Sequence, residues 1–329
     1  MSNLPKRKNS FFTCLDIPPE KCLKVATKTL EDLSDEIQLK IFSHLHIKDL
    51  ISCSQVSKRT RRISRDESLW EKVNLCGKII PANFLKFILE NGSKYINLAF
   101  SEIRGGLILF ENGESMSSGK YKVKYLNLAN CAANYGVIEE LIASCQSLEK
   151  LSLKNMGAMG SNKITMRRYV IPKTLNNLNP QKLKTLDLSS LNGIDHQCIQ
   201  HILKSETLTE ISFRDIKKLG YFKEWIEYVV NNLPINLEKI SLGGLESLEN
   251  EHVIKLVKKH KNLKQLELHG SPVENEALES IIEHAHNLEK LDVSFTRIGL
   301  FDYTKFLAVN SMPNLKVRMM TIVDFSDIL

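Results

Sequence analysis

The chain has 329 residues, a formal net charge of +7 at pH 7 and 43% hydrophobic residues, which is enough for an ordinary buried core in one or two domains. The modest positive charge favours acidic partners without requiring nucleic acid, and no apolar run approaches the ~18–20 residues of a membrane helix. Seven cysteines without paired spacing indicate reduced, intracellular thiols.

The N-terminal segment, residues 1–29, is mixed and aperiodic, and we expect it to be a flexible lead-in. It contains no signal-peptide core, since the apolar run Phe11–Leu15 is short and Asp16 ends it. The basic run Pro5–Lys8 has two interpretations, a nuclear import signal or a solvated basic tail. Together these features predict a nuclear and cytoplasmic protein.

Residues 30–75 predict a small helical domain. Ser34 can cap a helix whose first turn carries Asp35 and Glu36, the charge that a helix N-terminus favours. The apolar face of this helix recurs every four residues, at Leu33, Ile37, Ile41 and Leu45. Further short helices are predicted around Asp49–Cys53 and Lys58–Ser64. Three helices of this size cannot bury a full core of their own, so the domain needs a partner or a neighbouring domain.

The order of residues in this region carries a resemblance. The positions concerned are Leu33, Glu36, Ile37, Ile41, Phe42, Leu45, Asp49, Leu50, Val56, Ser57, Lys58, Arg59, Leu69 and Trp70. This order resembles an F-box, although Ser34 and Thr60 stand where that family usually has Pro and often has Trp. The resemblance implies docking on the small adaptor of cullin–RING ubiquitin ligases. It also implies that the adaptor is contacted or supported by Leu33, Glu36, Ile37, Ile41, Phe42, Leu45, Leu50, Val56, Lys58, Leu69 and Trp70.

The chain is repetitive from Val73 onward, and residues 76–318 form the predicted leucine-rich-repeat domain. Strand-like cores recur at Val73–Leu75, Ile96–Leu98, Leu126–Leu128, Leu151–Leu153, Leu186–Leu188, Ile211–Phe213, Ile240–Leu242, Leu266–Leu268 and Leu291–Val293, and Leu315 begins a partial copy. From the third core onward the frame is Leu-x-x-Leu-x-Leu with a leucine-rich-repeat period of ~20–29 residues. Amphipathic helices are predicted between strands, for example at Gly136–Cys145, His196–Ser205, Tyr221–Asn231, Glu251–His260 and Glu276–Ala285.

This pattern predicts an α/β fold, a leucine-rich-repeat horseshoe with parallel strands on the concave face and helices on the convex face, preceded by the small all-α F-box. Two longer segments, Phe100–Lys122 and Asn155–Pro180, are either loops near the binding face or tolerated insertions. An F-box followed directly by such repeats resembles the F-box/leucine-rich-repeat proteins. Some members run their C-terminal tail back along the concave face, and residues 319–329 are the corresponding segment here.

Strand alternation places the residues beside the core leucines on the open face. The resulting candidates for substrate binding are Lys150, Ser152, Lys154, Asp187, Ser212, Arg214, Lys239, Glu267 and His269. Lys154 and Arg214, two repeats apart, would lie ~10 Å from each other and could hold one acidic or phosphorylated group. The alternative is that Asp187, Glu210 and Glu267 neutralise these cations within the sheet.

Catalytic and metal signals are weak. The His44/His46 and His284/His286 pairs have no ligands completing a zinc set, and no phosphate loop or nucleophile motif is present. The basic run Lys58–Arg65 favours a solvated face or attraction to the adaptor over nucleic-acid binding, because no aromatic residues interleave. We therefore expect no cofactor, no metal and no enzymatic activity.

The expected function is a substrate-recognition subunit of an SCF-type cullin–RING E3 ubiquitin ligase. Its expected partners are the adaptor, through it a cullin, and a protein substrate, with or without a small accessory subunit. The alternative is a protein-interaction scaffold of the same fold that acts outside ubiquitin transfer.

Overall fold

The computed structural model describes residues 29–106, 120–158, 175–191, 194, 196–216, 222–299 and 314–320. The chain divides into two compact units, one ending at Ser64 and the other beginning at Arg65. Four predictions lie outside the described residues, wholly or for the most part: the flexible lead-in, its nuclear import signal, the middle of the two longer segments, and the C-terminal tail.

The first unit is helical, as predicted. A 3-10 turn at Leu30–Asp32 precedes α1 (Asp35–Phe42), α2 (Ile47–Cys53) and α3 (Lys58–Ser64), and α2 begins two residues earlier than expected. Ser34 occupies the predicted N-cap position of α1, although its hydroxyl makes no capping hydrogen bond. Both α1 and α2 pack against α3.

The core of the first unit is small. Each of the three helices contributes one fully buried apolar side chain, Phe42, Leu50 or Ile63. Gln38 is also buried, and its amide donates to the carbonyl oxygens of Leu30 at 2.9 Å and Leu33 at 3.2 Å. These two hydrogen bonds hold the 3-10 turn against α1. Other apolar side chains remain at the surface, as expected for a domain of this size.

The second unit is built on a ten-stranded parallel sheet. Its strands, in spatial order, are β1 (Lys72–Asn74), β3 (Tyr95–Asn97), β5 (Tyr125–Asn127), β7 (Lys150–Ser152), β9 (Thr185–Asp187), β10 (Glu210–Ser212), β11 (Lys239–Ser241), β12 (Gln265–Glu267), β13 (Lys290–Asp292) and β14 (Lys316–Arg318). Every predicted strand core is therefore confirmed, including the partial copy at Leu315. The middle residue of each strand from β1 to β13 is buried, and its neighbours point to the open face.

Helices precede or connect many of these strands. They are α4 (Glu67–Trp70), α5 (Ala82–Glu90), α6 (Tyr135–Ser144), α7 (His196–Leu203), α8 (Phe222–Asn232), α9 (Asn250–Lys259) and α10 (Asn275–His284). The five predicted inter-repeat helices all begin within one residue of their predicted start. The structure thus confirms the leucine-rich-repeat horseshoe class for this unit.

A second, four-stranded parallel sheet was not predicted. It consists of β2 (Ile79–Pro81), β4 (Glu102–Arg104), β6 (Ala132–Ala133) and β8 (Gly157–Ala158), each lying shortly after a strand of the main sheet. The main strands are equally short, but they coincide with a recurring leucine frame; these four segments share no such frame, so the sequence pattern did not reveal them.

A left-handed residue recurs at one position of the repeat, three residues after the end of a main-sheet strand. These residues have φ between 47° and 70° and are Gly77, Phe100, Asn130, Asn155, Ser190, Asp215, Gly244, Gly270 and Phe295. The backbone N–H of each donates to a carbonyl of the following repeat at 2.7–2.9 Å, as from Gly270 to Ser294. The turn therefore links every repeat in this series to the next.

Gly270 permits a test of this turn. A Cβ at position 270 would come no closer than 3.9 Å to the neighbouring repeat, at Gly244, so space is available and only the left-handed φ of 63° opposes substitution. We expect Gly270→Ala to lower the free energy of unfolding by about 1 kcal/mol. Gly106→Ala is the matched control, because a Cβ there meets nothing within 4 Å and the backbone is not left-handed. Equal urea midpoints for the two variants would contradict this account.

Candidate functional site

The candidate adaptor face lies on the first unit. Ile37 and Ile41 are four residues apart on α1, and therefore share one helix face. They are 50% and 40% exposed, and Val56 after α2 is 75% exposed. Leu30, which the sequence analysis did not select, is 39% exposed. Large apolar side chains left open on so small a domain indicate a surface for a partner.

The remaining predicted adaptor residues of this unit fall into two groups. Glu36 and Lys58 are exposed, and Leu33 and Leu45 are half-buried. Phe42 and Leu50 are 2% and 3% exposed and belong to the core. These last two side chains support the surface without forming part of it, because the small core needs one apolar residue from each helix.

The basic run is partly used inside the domain. The Arg59 guanidinium on α3 donates from Nε to Asp35 Oδ1 at 2.8 Å, and its other nitrogens donate to the carbonyls of Glu31 at 2.5 Å and Leu33 at 2.6 Å. Arg62 also pairs with Asp35. The expectation of a wholly solvated or adaptor-facing run is thus corrected, since the planar guanidinium holds the start of α1 against α3.

The last two predicted adaptor residues, Leu69 and Trp70, fold with the repeats. Leu69 is half-buried, and Trp70 is only 1% exposed. The indole meets the Phe87 ring of α5 edge to face, with centroids 5.0 Å apart, and Ser93 Oγ donates to the Trp70 carbonyl at 2.7 Å. Trp70 is therefore a core residue of the second unit. The sequence placed the end of the F-box at residue 75, whereas the compact units divide at Ser64.

This packing predicts a stability effect. Replacing Trp70 with Ala removes a large buried ring, and we expect it to cost ~3–5 kcal/mol of unfolding free energy. Ile79→Ala serves as the control, because Ile79 is 58% exposed and its loss should change stability by less than ~0.5 kcal/mol. Thermal unfolding followed by circular dichroism measures both. A Trp70→Ala protein as stable as the control would show that the ring contributes little to the repeat unit.

The open face of the main sheet consists of rows of side chains in register. The row formed by the first residue of each strand runs Lys72, Tyr95, Tyr125, Lys150, Thr185, Glu210, Lys239, Gln265, Lys290 and Lys316. The row formed by the last residues begins with the asparagines Asn74, Asn97 and Asn127 and continues with Ser152, Asp187, Ser212, Ser241, Glu267, Asp292 and Arg318. Two depressions lie on this face.

The C-terminal recess, of about 220 Å³, holds most of the predicted substrate residues. Its charged lining residues are Lys154, Arg214, Lys239, Asp187, Glu210 and Glu267, and Ser212 also lines it. Three cations and three carboxylates give this lining a net charge of zero. Lys154 and Arg214 follow strands two steps apart, as predicted.

Ion pairs within the sheet account for part of this neutrality. Lys239 Nζ lies 3.3 Å from Glu210, as the neutralisation alternative expected, and Arg214 Nε lies 3.2 Å from Asp215, which it did not. Lys154 makes no ion pair within the part of the chain that the structure describes. A strongly positive recess at these residues is therefore not found.

Hydrogen bonds occupy the two remaining carboxylates of this recess. Asp187 accepts from the hydroxyls of Ser152 at 3.1 Å and Ser189 at 2.6 Å. Glu267 accepts from the Gln265 amide at 2.7 Å. These hydrogen bonds hold both carboxylates in place on the open face and leave fewer of their acceptor positions for a ligand.

His269 lies close to the backbone of the neighbouring repeat. A Cβ at position 243 would come within 1.9 Å of its imidazole, so Gly243 is what makes room for the ring. Burial lowers the pKa of His269 below its ordinary value, and the nearby Arg214 lowers it further. The ring is accordingly neutral at pH 7 and adds no charge to the open face.

The larger depression, the N-terminal recess, was missed by the sequence analysis except for Lys150. It measures about 690 Å³ and is lined by Lys72, Val73, Asn74, Tyr95, Asn97, Lys124, Tyr125, Glu149 and Lys150. Applying the alternation rule to the first three strands would have identified Lys72, Tyr95 and Tyr125.

The N-terminal recess carries a positive surplus. Its lining contains three lysines and one glutamate, a difference of +2. Glu149 lies 2.8 Å from Lys184 and 2.9 Å from Lys124, and these two ammonium groups lower the pKa of Glu149 to about 2. Lys72 Nζ stands 5.7 Å from the centre of the Tyr95 ring.

The described residues offer little for metal binding or nucleophilic chemistry. Within the described ranges, no group of three or more His, Cys, Asp or Glu side chains could hold a metal ion. The five described cysteines form no disulfide, and burial raises the pKa of Cys131 and Cys145 to about 12, so both thiols stay protonated at neutral pH. Of the described helices, none has both the length and the apolar character needed to cross a bilayer.

Comparison with known families identifies the first part of the chain. Residues 30–76 match the family model described as F-box-like, which confirms the predicted F-box. Among solved structures, the chain is similar to an internalin from Listeria monocytogenes. The sequence identity is 12%, the match covers 82% of this chain and 93% of that one, and the TM-score is 0.36. The F-box-like match therefore precedes a unit whose own parallel main sheet, with one strand per leucine-rich repeat, defines its class.

Proposed function

We propose that this protein is the substrate-recognition subunit of an SCF-type cullin–RING E3 ubiquitin ligase. The observation that supports the proposal most directly is the F-box-like match at residues 30–76, on a domain that leaves Ile37 and Ile41 open on one helix face. The order of an F-box followed by leucine-rich repeats also resembles S-phase kinase-associated protein 2.

The adaptor is proposed to bind the face that carries Ile37, Ile41 and Val56, with Glu36 and Lys58 beside them. Burying one such apolar side chain contributes ~1.5–3 kcal/mol, so two or three of them support a stable docking surface. Phe42 and Leu50 hold this surface from below, and Leu33 and Leu45 lie at its edge. The cullin joins through the adaptor.

We propose that the chain acts by positioning the substrate near the ligase and catalyses no reaction itself. The F-box-like domain tethers the chain to the ligase while the open face of the repeats binds the protein substrate, alone or with a small accessory subunit. Tethering raises the effective concentration of substrate lysines near the ubiquitin-charged enzyme. The proposed compartments are nucleus and cytoplasm, on the basis of Pro5–Lys8, a run outside the described residues.

The adaptor face gives the decisive test. Ile41→Asp places a carboxylate where an apolar contact should form, and burial of an unpaired charge is costly. We expect loss of adaptor binding in a pull-down with purified adaptor, with an unchanged melting temperature of the repeat unit. Ile235→Asp is the control, since Ile235 is 56% exposed on the second unit and lies outside the proposed face.

Two results would redirect the proposal, one from this pull-down and one from affinity purification of the wild-type protein from cells. Adaptor binding that survives Ile41→Asp would remove the face on α1 from consideration. Adaptor binding by the wild type without co-purification of a cullin would instead favour the interaction scaffold that acts outside ubiquitin transfer.

A further inference from the structure

We infer that the N-terminal recess binds an extended acidic segment of the substrate protein, with two carboxylates four residues apart and an apolar side chain midway between them. The inference rests on the proposed function and names the class of segment that the repeats would recognise. It follows from the register of four strands, the charges at the two ends of the recess and the aromatic floor between them.

The spacing of the two end cations comes from the sheet register. Lys72, Tyr95, Tyr125 and Lys150 occupy the same position on four consecutive strands, β1, β3, β5 and β7. Neighbouring strands lie ~4.8 Å apart, so three steps place the backbones of Lys72 and Lys150 ~14 Å from each other.

Lys72 and Lys150, at the two ends of the recess, are also the lining lysines whose charge no described carboxylate pairs with. Lys124 is paired with Glu149, which is shared with Lys184. Lys72 and Lys150 make no ion pair with any residue in the described ranges, although Lys72 lies near the Tyr95 ring. Two separated cations fit two separated carboxylates, whereas a single phosphate would need cations that converge on one point.

The floor between the lysines is aromatic. Tyr95 is 40% exposed and Tyr125 is half-buried, so their rings offer apolar surface between two charged ends. Beside them, Asn97 donates to Asn74 Oδ1 at 3.1 Å. The amide nitrogen of Asn74 has no acceptor among the described residues, and it is placed to donate to a backbone carbonyl of a bound segment.

The segment's length and pattern follow from these distances. An extended chain rises ~3.3 Å per residue, so four residues cover ~13 Å, close to the ~14 Å between the two lysine backbones. Residues i, i+2 and i+4 of an extended chain point to the same side. Carboxylates at i and i+4 would reach Lys72 and Lys150, and an apolar side chain at i+2 would lie on the two tyrosines.

The same sheet provides a matched control surface. Lys239 and Lys316 stand at the same row position three strands apart, but Gln265 and Lys290 lie between them in place of aromatic rings. Lys239 is moreover paired with Glu210 at 3.3 Å. An identical change of charge at identical spacing can therefore be made without touching the aromatic floor.

The experiment measures fluorescence anisotropy of labelled peptides with the full-length protein at low salt. The probe contains Glu-Ser-Phe-Ser-Glu between Gly-Ser flanks, and its comparison peptides carry Gln-Ser-Phe-Ser-Gln, Glu-Phe-Glu, or a single phosphoserine at the position of the Phe. We expect the probe to bind more tightly than all three. The Lys72→Gln/Lys150→Gln protein should lose roughly tenfold in affinity, and the Lys239→Gln/Lys316→Gln protein should retain it.

A second variant tests the floor. Tyr95→Ser should weaken the Phe-containing probe and have little effect on a probe with Ser in place of Phe, whereas general loss of folding would lower the melting temperature as well. Equal losses in the two lysine double variants would overturn the inference and indicate unspecific charge attraction. It is also overturned if the phosphoserine peptide binds best or if no peptide binds.

The outcome is separable from the proposed function. Peptide binding requires no ligase component, and adaptor binding can be measured on the same variants. If no peptide binds but the adaptor still does, only the inference that the N-terminal recess binds an acidic segment is rejected. Peptide binding in a protein that does not bind the adaptor rejects the proposed function and leaves the recess in place.

Discussion

The backbone hydrogen bond from each left-handed turn residue to the next repeat is the interaction on which the repeat unit depends. It recurs from Gly77 to Phe295, always three residues after a main-sheet strand. A stacked array is stabilised through its nearest neighbours, so a bond that repeats at every junction fixes the spacing and direction of the whole sheet. The residues at this position are glycine, asparagine, aspartate, serine and phenylalanine, and glycine alone adopts the conformation without cost.

A regular backbone turns the open face into ordered rows of side chains. Because each strand meets its neighbour in register, one residue position of the repeat becomes one line across the sheet. The type of side chain then varies along each row, from the lysines and tyrosines of the N-terminal recess to the balanced charges of the C-terminal recess. The carboxylate of Glu149 shows how this balance arises, since it serves two lysines from neighbouring repeats.

The F-box-like segment uses its residues in two different ways. Arg59 and Arg62 pair with Asp35, so positive charge that looked available to a partner holds the helices together. Trp70, at the other end of the segment, is buried in the core of the second unit beside Phe87. The matched family segment of residues 30–76 therefore extends beyond the first compact unit, and its last helix contributes to the stability of the repeats.

The sequence by itself determined the order and type of the elements. A period of one strand and one helix, marked by leucines, places every main strand and most helices because burial of the same apolar positions recurs in each copy. It did not reveal the small second sheet, whose strands lie outside the recurring leucine frame. The pairing of Arg214 with Asp215 was likewise decided by tertiary structure. Tertiary structure also decided the positive charge of the N-terminal recess. Contacts between side chains far apart in the chain, such as Glu149 with Lys184, determine which lysines remain unpaired.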